Sequence, residues 1–543
     1  MTKNVNKIDK NWHKQAVGYQ VYPKSFKDTN GDGIGDLQGI IEKLPYLKSL
    51  GIDFIWLNPI YASPQIDGGY DISDFYDVDP MFGTMADFKE LLAECHRLGI
   101  RLIMDLVVNH TSDKHKWFIE SQKSKDNPYR DYYLWADATP NRMPNNWRSF
   151  FGIPAWTYQA KTKQAYFHIF SAAQPDLNWK NPKLREEIYK MVRWWLEDIG
   201  IDGFRLDAIS HIQKMDWSFK IRNFDGDNAW EPFMNVAGIE NYMRALKEIF
   251  DAYDAFTVGE ASGVRSNKGA ADWTDPKTGF LDAIFELEHN RHHADGTGDL
   301  FAYKKVITRW QKDLLSRGWN ALYIENHDMP RAISVYGDGS AASAKALAVQ
   351  YMLLRGTPFI YYGQEIGMSS YPFRDISEIV SEDTRTHYFN ALKAGVPEKE
   401  AFFKEVLNSR DTGRTPMQWD ASENAGFSTG RPWMPVNPEY KTVNVETSSE
   451  LQKLYKDLIA LKHKEKSIQD GSIKFYFERS RKVFCYEREE FLILVNLSAE
   501  KAQARFESLP VEKYVQILGS RSRKLVHHMT LTPWEYQVFK AKK

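Results

Sequence analysis

Short apolar runs recur along this chain, separated by stretches in which apolar residues return every three or four positions. The runs lie at 17–22, 53–57, 102–108, 203–206, 256–258, 283–287, 321–324 and 358–362. Such short, continuously apolar runs read as strands buried on both faces. Leu184, Ile188, Met191, Trp195 and Ile199 mark one face of a helix just before the fourth run, with Asn181-Pro182 as its start and Gly200 as its stop. Ile239, Met243, Leu246 and Phe250 mark another. Alternating strands and helices imply a parallel sheet, and eight units predict a closed (β/α)8 barrel. A doubly wound sheet would need a Gly-rich phosphate turn after its first strand, and none is present.

Two stretches break this rhythm. Residues 111–179, rich in Trp, Tyr, Asn and Pro, are too long for a loop and read as a small domain inserted after strand three. Residues 367–433 read as a long subdomain after strand eight. The barrel itself is assigned to 1–110 and 180–471. From 472 to 543 the pattern turns to alternating strands, which predicts a separate antiparallel β domain.

Composition narrows the class. The 543 residues are 43% hydrophobic and 26% charged, ordinary for a globular protein, and a net charge of −1 supplies no field for nucleic acid or anionic membrane. Aromatic residues reach 14%, enough to spare some as platforms for sugar rings. Cys95 and Cys485 form no metal or disulfide pattern, and no run is long enough to span a bilayer. The first ten residues are polar and lack the apolar stretch of a signal peptide, so a cytoplasmic enzyme is expected.

The ends of the predicted strands carry the chemistry. Strand three ends in Asp105-Leu-Val-Val-Asn-His110, strand four in Arg205-Leu-Asp207, strand five in Gly259-Glu260 and strand seven in Glu325-Asn-His327-Asp328. Side chains alternate along a strand, so Arg205 and Asp207 project together, and the guanidinium is expected to keep Asp207 ionised as a nucleophile needs. Glu260, after an apolar strand and among other acids, is expected to hold a proton and act as a general acid. Two carboxyls with these opposed needs are the apparatus of glycoside hydrolysis. A second cluster, at residues 28–36, spaces oxygen-bearing side chains at alternate positions about a Gly turn. That is the spacing of a calcium loop, although Gly39 stands where an EF-hand has Glu; a metal-free Asx turn is the alternative.

Four such segments in this order resemble the alpha-amylase family of glycoside hydrolases, family 13, over nearly the whole chain. The resemblance implies Asp207 as nucleophile, Glu260 as acid/base and Asp328 as transition-state stabiliser. It also implies Arg205, His110 and His327 as substrate-holding residues and Asp105 as a supporting acid. The segment Gln-Pro-Asp-Leu-Asn at 174–178 is similar to the signature of the oligo-1,6-glucosidase subfamily. There, Asp67 and Tyr70 match positions that grip the terminal glucose. Arg414 matches the ion-pair partner of Asp67, with Arg410 the competing candidate; the pair would enforce exo attack. The subfamily's loop can hold one structural Ca2+ (or Mg2+) through Asp28, Asn30, Asp32, the Ile34 carbonyl and Asp36, and no organic cofactor is implied.

Ala208 follows the nucleophile. Relatives with Val there prefer α-1,6 links and those with Ala or Thr α-1,4 links, so the expectation is maltose and short maltooligosaccharides. Isomaltose-type α-1,6 links are the alternative, and transglycosylation can accompany hydrolysis. Sucrose isomerases carry an Arg-Leu-Asp-Arg-Asp-type loop that this chain lacks. A trehalose-6-phosphate hydrolase would need a cationic phosphate pocket that the sequence does not locate. Noncatalytic transporter-associated barrels would have a membrane segment and degraded acids. The expected partner is an oligosaccharide substrate, with neither nucleic acid nor membrane, and the protein is expected to be a monomer or homodimer.

Overall fold

The computed structural model describes residues 11–224, 226–263, 267–289 and 298–542; the leading decapeptide read above lies outside them. Eight parallel strands close into a barrel: β1 (Gly18–Val21), β2 (Phe54–Leu57), β3 (Arg101–Val107), β4 (Gly203–Asp207), β5 (Phe256–Gly259), β6 (Ala283–Phe285), β7 (Asn320–Leu322) and β8 (Thr357–Tyr361). The predicted barrel is therefore present, with every predicted run contributing a strand. The sixth and seventh runs stop two residues early, because β6 and β7 pair only through Ile284–Asn320 and Phe285–Ala321 before the chain leaves the ladder.

Aromatic residues fill the barrel's lower interior. Trp12 sets its ring against Phe54 and Phe256, at the starts of β2 and β5, with centroids 5.5 and 5.3 Å away. Burying one such side chain contributes roughly 1.5–3 kcal/mol. At the other end, beyond the C-termini of the strands, a pocket of about 190 Å³ opens.

Local signals account for the helices. The helix α1 (Leu37–Leu50) starts where the Asp36 side chain accepts from the Gly39 amide, and stops at left-handed Gly51. Thr84 and Asp87 form a reciprocal capping box on α2 (Met85–Arg97). The Asn181 side chain caps α3 (Pro182–Trp194), as predicted, but the last turn before Gly200 is π-helical over Trp195–Ile199. The Ile239 stripe becomes α4 (Ile239–Ala252).

Between β3 and α3 lies a three-stranded antiparallel sheet of Trp135–Asp137, Gln164–Phe167 and Trp156–Gln159. The end of the chain forms an antiparallel five-stranded sheet, in which Val483–Arg488 and Phe491–Asn496 are central, and a separate pair, Ala502–Arg505 with His528–Leu531. Among the described residues no helix is long and apolar enough to cross a membrane. Both cysteines are buried and unpaired with each other.

Candidate active site

Strand register brings the acids together. Asp105 on β3 pairs with Arg205 on β4, Val107 with Asp207, and Arg205 with Val258 on β5. Glu260 then follows with its amide on the Leu206 carbonyl. Arg205 sits at the centre, almost fully buried. Its Nη1 donates to Asp105 and to Asp207 Oδ1, the latter at 2.6 Å, while Nη2 donates to Glu260 Oε2 at 2.6 Å. One guanidinium thus holds both proposed reacting carboxyls, a wider role than the sequence suggested. The Ala208 amide also donates to Glu260 Oε2, at 3.2 Å, from a backbone turned left-handed with φ 44°.

Burial sets the charge states. It would strip the proton from Arg205, but Glu260 and Asp105 outweigh it and hold the guanidinium charged. Burial pushes the Asp105 carboxyl up to about 6, against the pull of Arg205. For Asp207 the same burial dominates: with Glu260 and Asp105 adding repulsion, the carboxyl is pushed up in spite of Arg205. The expectation that Arg205 simply keeps Asp207 ionised omitted this desolvation. Asp328 goes the other way. Burial opposes its ionisation, but His327, Arg410 and Arg414 hold it well below the usual range. Because burial leaves His327 itself neutral, the guanidiniums carry that effect.

The histidines are wired into the wall. Gln20 Nε2 donates to Asn58 Oδ1 and lies 2.8 Å from His327 Nδ1, which makes Nδ1 the acceptor. His327 Nε2–H therefore faces the Tyr70 hydroxyl, 2.7 Å away, and the two rings stack at 5.4 Å. His110 is buried beside the Tyr70 carbonyl. Around these groups is a pocket of about 190 Å³ that includes Asp67, Tyr70, His110, Asp207, Glu260 and Asp328. Segments after β2, β3, β4, β5 and β7 thus converge on one pocket, four of them the strand ends read from the sequence.

One assignment changes. Asp67 is paired by Arg410, not Arg414: Arg410 Nη2 is 2.6 Å from Asp67 Oδ1. Arg414 instead donates to the His327 carbonyl at 2.6 Å and to Asp328 at 3.0 Å. A short helical turn at Arg410–Gly413 separates the two arginines: both reach Asp328 Oδ1, at 3.3 and 3.0 Å, but Arg410 goes on to Asp67 and Arg414 to the His327 carbonyl. Asp383, 3.1 Å from Arg410, and the wall residues Phe151 and Phe170 were not read from the sequence. Gln174 was quoted only as part of a signature, yet its Nε2 donates to Asp67 at 3.0 Å. Its amide is the one signal that could have been followed.

The loop at 28–36 is far from this pocket in sequence, and it is organised by its own amides. Asp28 accepts from the amides of Asn30, Gly31 and Gly33, Asn30 from Asp32, Asp32 from Ile34, and Asp36 from Thr29 and Gly39. Among the described residues no group of three or more acidic, His or Cys side chains stands ready as a metal cage. The donors are nevertheless the oxygen type that hard divalent cations take.

Residues 20–471 match the alpha-amylase catalytic domain family. The chain is 42% identical over 560 aligned positions to an oligo-1,6-glucosidase from Parageobacillus thermoglucosidasius, covering 98% of this chain and 99% of that one. It is 43% identical to an alpha-glucosidase from Pediococcus pentosaceus, covering 85% and 86%. Among solved structures, trehalose-6-phosphate hydrolase from Bacillus licheniformis superimposes with a TM-score of 0.91 at 38% identity, covering 98% of this chain and all of that one.

Proposed function

This chain belongs to the alpha-amylase family and is a family 13 glycoside hydrolase, and from that premise we propose an exo-acting, retaining alpha-glucosidase that cuts isomaltose-type α-1,6 links. The observation that carries exo attack is the Arg410–Asp67 ion pair, whose two side chains both line the pocket of about 190 Å³; on this reading the pair limits the space beyond one sugar.

In the proposed reaction, Glu260 leaves Arg205 for the glycosidic oxygen and gives it a proton as the bond to the anomeric carbon breaks. Asp207 attacks that carbon from the opposite face, forming a glucosyl ester. Glu260, now a carboxylate, takes a proton from water, whose oxygen displaces Asp207 and releases glucose with retained configuration. A sugar hydroxyl in place of that water gives transglycosylation. Asp328, held ionised by two arginines, supports the positive charge that builds on the ring.

The choice of linkage departs from the expectation drawn from Ala208. That expectation rested on one side chain, whereas full-length relatives such as that from Parageobacillus carry the oligo-1,6-glucosidase name. Ala208 still supports a second reading, α-1,4 cleavage of maltose, through its small side chain, and the hydrogen bond from its amide to Glu260 puts that side chain at the site. Comparing kcat/KM on isomaltose and maltose decides between them. Faster isomaltose cleavage supports the first reading and faster maltose cleavage the second; no glucose release from either overturns both.

We further propose that the loop at 28–36 takes a structural Ca2+ or Mg2+ through Asp28, Asn30, Asp32, the Ile34 carbonyl and Asp36. Support comes from the alternate spacing of those oxygens.

A further inference from the structure

The Gln-Pro-Asp-Leu-Asn segment carries a second acid, Asp176, for which the proposed reaction has no use. It is wholly buried and faces Lys214, which lies seven residues beyond Asp207 and is itself buried. Lys214 Nζ stands 2.7 Å from Asp176 Oδ2 and donates to Asn109 Oδ1 at 2.9 Å. Burial pulls the ammonium pKa down, and Asp176 opposes that. Three segments meet here: the end of β3, the return of the inserted segment, and the loop after the nucleophile.

The ammonium has a directional consequence. With Oδ1 of Asn109 committed to Lys214, its Nδ2 faces Asp176 Oδ2 and His110 Nδ1, each at 3.2 Å. Turning the amide over would set its NH2 against the ammonium and its oxygen against the Asp176 carboxylate. His110 Nδ1 is therefore the acceptor and Nε2 carries the hydrogen, beside the Tyr70 carbonyl at 3.2 Å. Burial lowers the His110 pKa and leaves the ring neutral, so this tautomer matters. Gln174 Nε2 gives one of its two hydrogens to Asp67 and lies 3.1 Å from His110 Nε2.

We propose that Lys214 is a positioning residue for terminal-glucose binding: through Asn109 it fixes the tautomer of His110, so that Nε2–H, which rests on the Tyr70 carbonyl, is the donor that a sugar hydroxyl in the pocket shares. The inference rests on the reading of that pocket as a glucose site. A purely structural lysine would pin the inserted segment without touching the histidine.

A double-mutant cycle separates these roles. Lys214→Met, His110→Ala and the double variant are assayed on p-nitrophenyl α-glucoside. Lys214→Met strands Asp176, so Lys214→Met with Asp176→Asn, a charge-neutral replacement, is carried in parallel. The expected result is a fall of about tenfold or more in kcat/KM for Lys214→Met, shrinking to within about twofold once His110 is Ala. Equal losses in both backgrounds overturn the inference. So does near wild-type activity in the folded charge-neutral variant, or loss there that persists without His110. Failure of the wild type to cleave the glucoside would instead strike the reading of the pocket.

Discussion

Arg410 donates from Nη2 to Asp67 Oδ1 across 2.6 Å, joining residues 343 positions apart in the lining of the pocket. Arg410 also stands 3.1 Å from Asp383 and 3.3 Å from Asp328, so one cation serves three acids. Removing one partner of a buried pair costs about 3–5 kcal/mol, because the other charge is left without compensation. Arg410→Ala is therefore expected to lower kcat/KM on isomaltose by about 100-fold or more, mostly through KM. With the end wall opened, digests of isomaltotetraose are expected to contain early isomaltose besides glucose. Chromatography of early digests checks this. Strictly one-glucose release at near wild-type rate would remove the pair from its exo role.

Asp207 predicts a separation of activity from folding. Its Oδ1 receives Arg205, but that guanidinium keeps Asp105 and Glu260 as partners when Asp207 is neutralised. Asp207→Asn removes the attacking carboxylate while preserving shape and relieving crowding among like charges. Turnover is expected to fall on the order of 10⁴-fold or more, with a melting temperature unchanged or raised. Assays on p-nitrophenyl α-glucoside with circular-dichroism melts give both numbers. Retention of a tenth of the activity would exclude Asp207 as nucleophile.

How far the sequence could be read follows from the range of each interaction. The strands were legible because their apolar runs are buried on both sides, and an acid ending such a run must lie at the barrel rim. Asp207, Glu260 and Asp328 could be placed on that basis. The choice between Arg410 and Arg414 could not, because it depends on one helical turn within an irregular segment. Phe151 and Phe170 reach the pocket from the inserted segment by tertiary contacts that no periodicity encodes. The lift of Asp207 by burial was missed for a related reason: neighbouring charges can be read from a motif, but desolvation comes only from the packed whole.

Asp71, four residues beyond Asp67, predicts a pH dependence of stability. Its oxygens accept the Ile66 and Asp67 amides and the Ser63 hydroxyl, which orders the loop under the proposed glucose-binding acid. Burial nonetheless pushes its carboxyl from 3.8 to about 6. The folded protein therefore binds this proton more tightly than the unfolded chain. The stability it lends is fully present below about pH 4 and is lost as pH rises to about 6 and beyond. A shift of this size corresponds to roughly 2–3 kcal/mol. Asp71→Asn should remove that share of the decline, seen as a flatter urea-unfolding free energy between about pH 4 and 6.5. An equally steep decline in the variant would show that other groups set it.

The loop at 28–36 gives a metal-removal test. Asp36 both closes this loop and caps α1, so an ion there would stiffen the start of a barrel helix. After chelation, added Ca2+ at 100 times its dissociation constant should stabilise by about 2.7 kcal/mol, raising the melting temperature by a few degrees. Asp32→Ala should abolish the rise without affecting kcat. A melting temperature indifferent to chelator and Ca2+ would leave the Asx turns as the loop's whole organisation.

Ala208 couples linkage preference to backbone strain. It holds φ 44° directly after the proposed nucleophile, Asp207, and its amide touches Glu260. A β-branched side chain in this left-handed region costs on the order of 1–3 kcal/mol. Ala208→Val is therefore expected to lower the melting temperature, while the added bulk at the leaving-group side discriminates between linkages by about 1–3 kcal/mol. The expected shift is toward isomaltose, measured as the ratio of kcat/KM on isomaltose to that on maltose. Ala208→Gly relaxes the backbone and removes the methyl group, so stability should rise while the ratio moves the opposite way. If both variants change stability but leave the ratio within about twofold of wild type, side-chain size at 208 does not govern the linkage. The determinant would then lie in the walls contributed by the long segments.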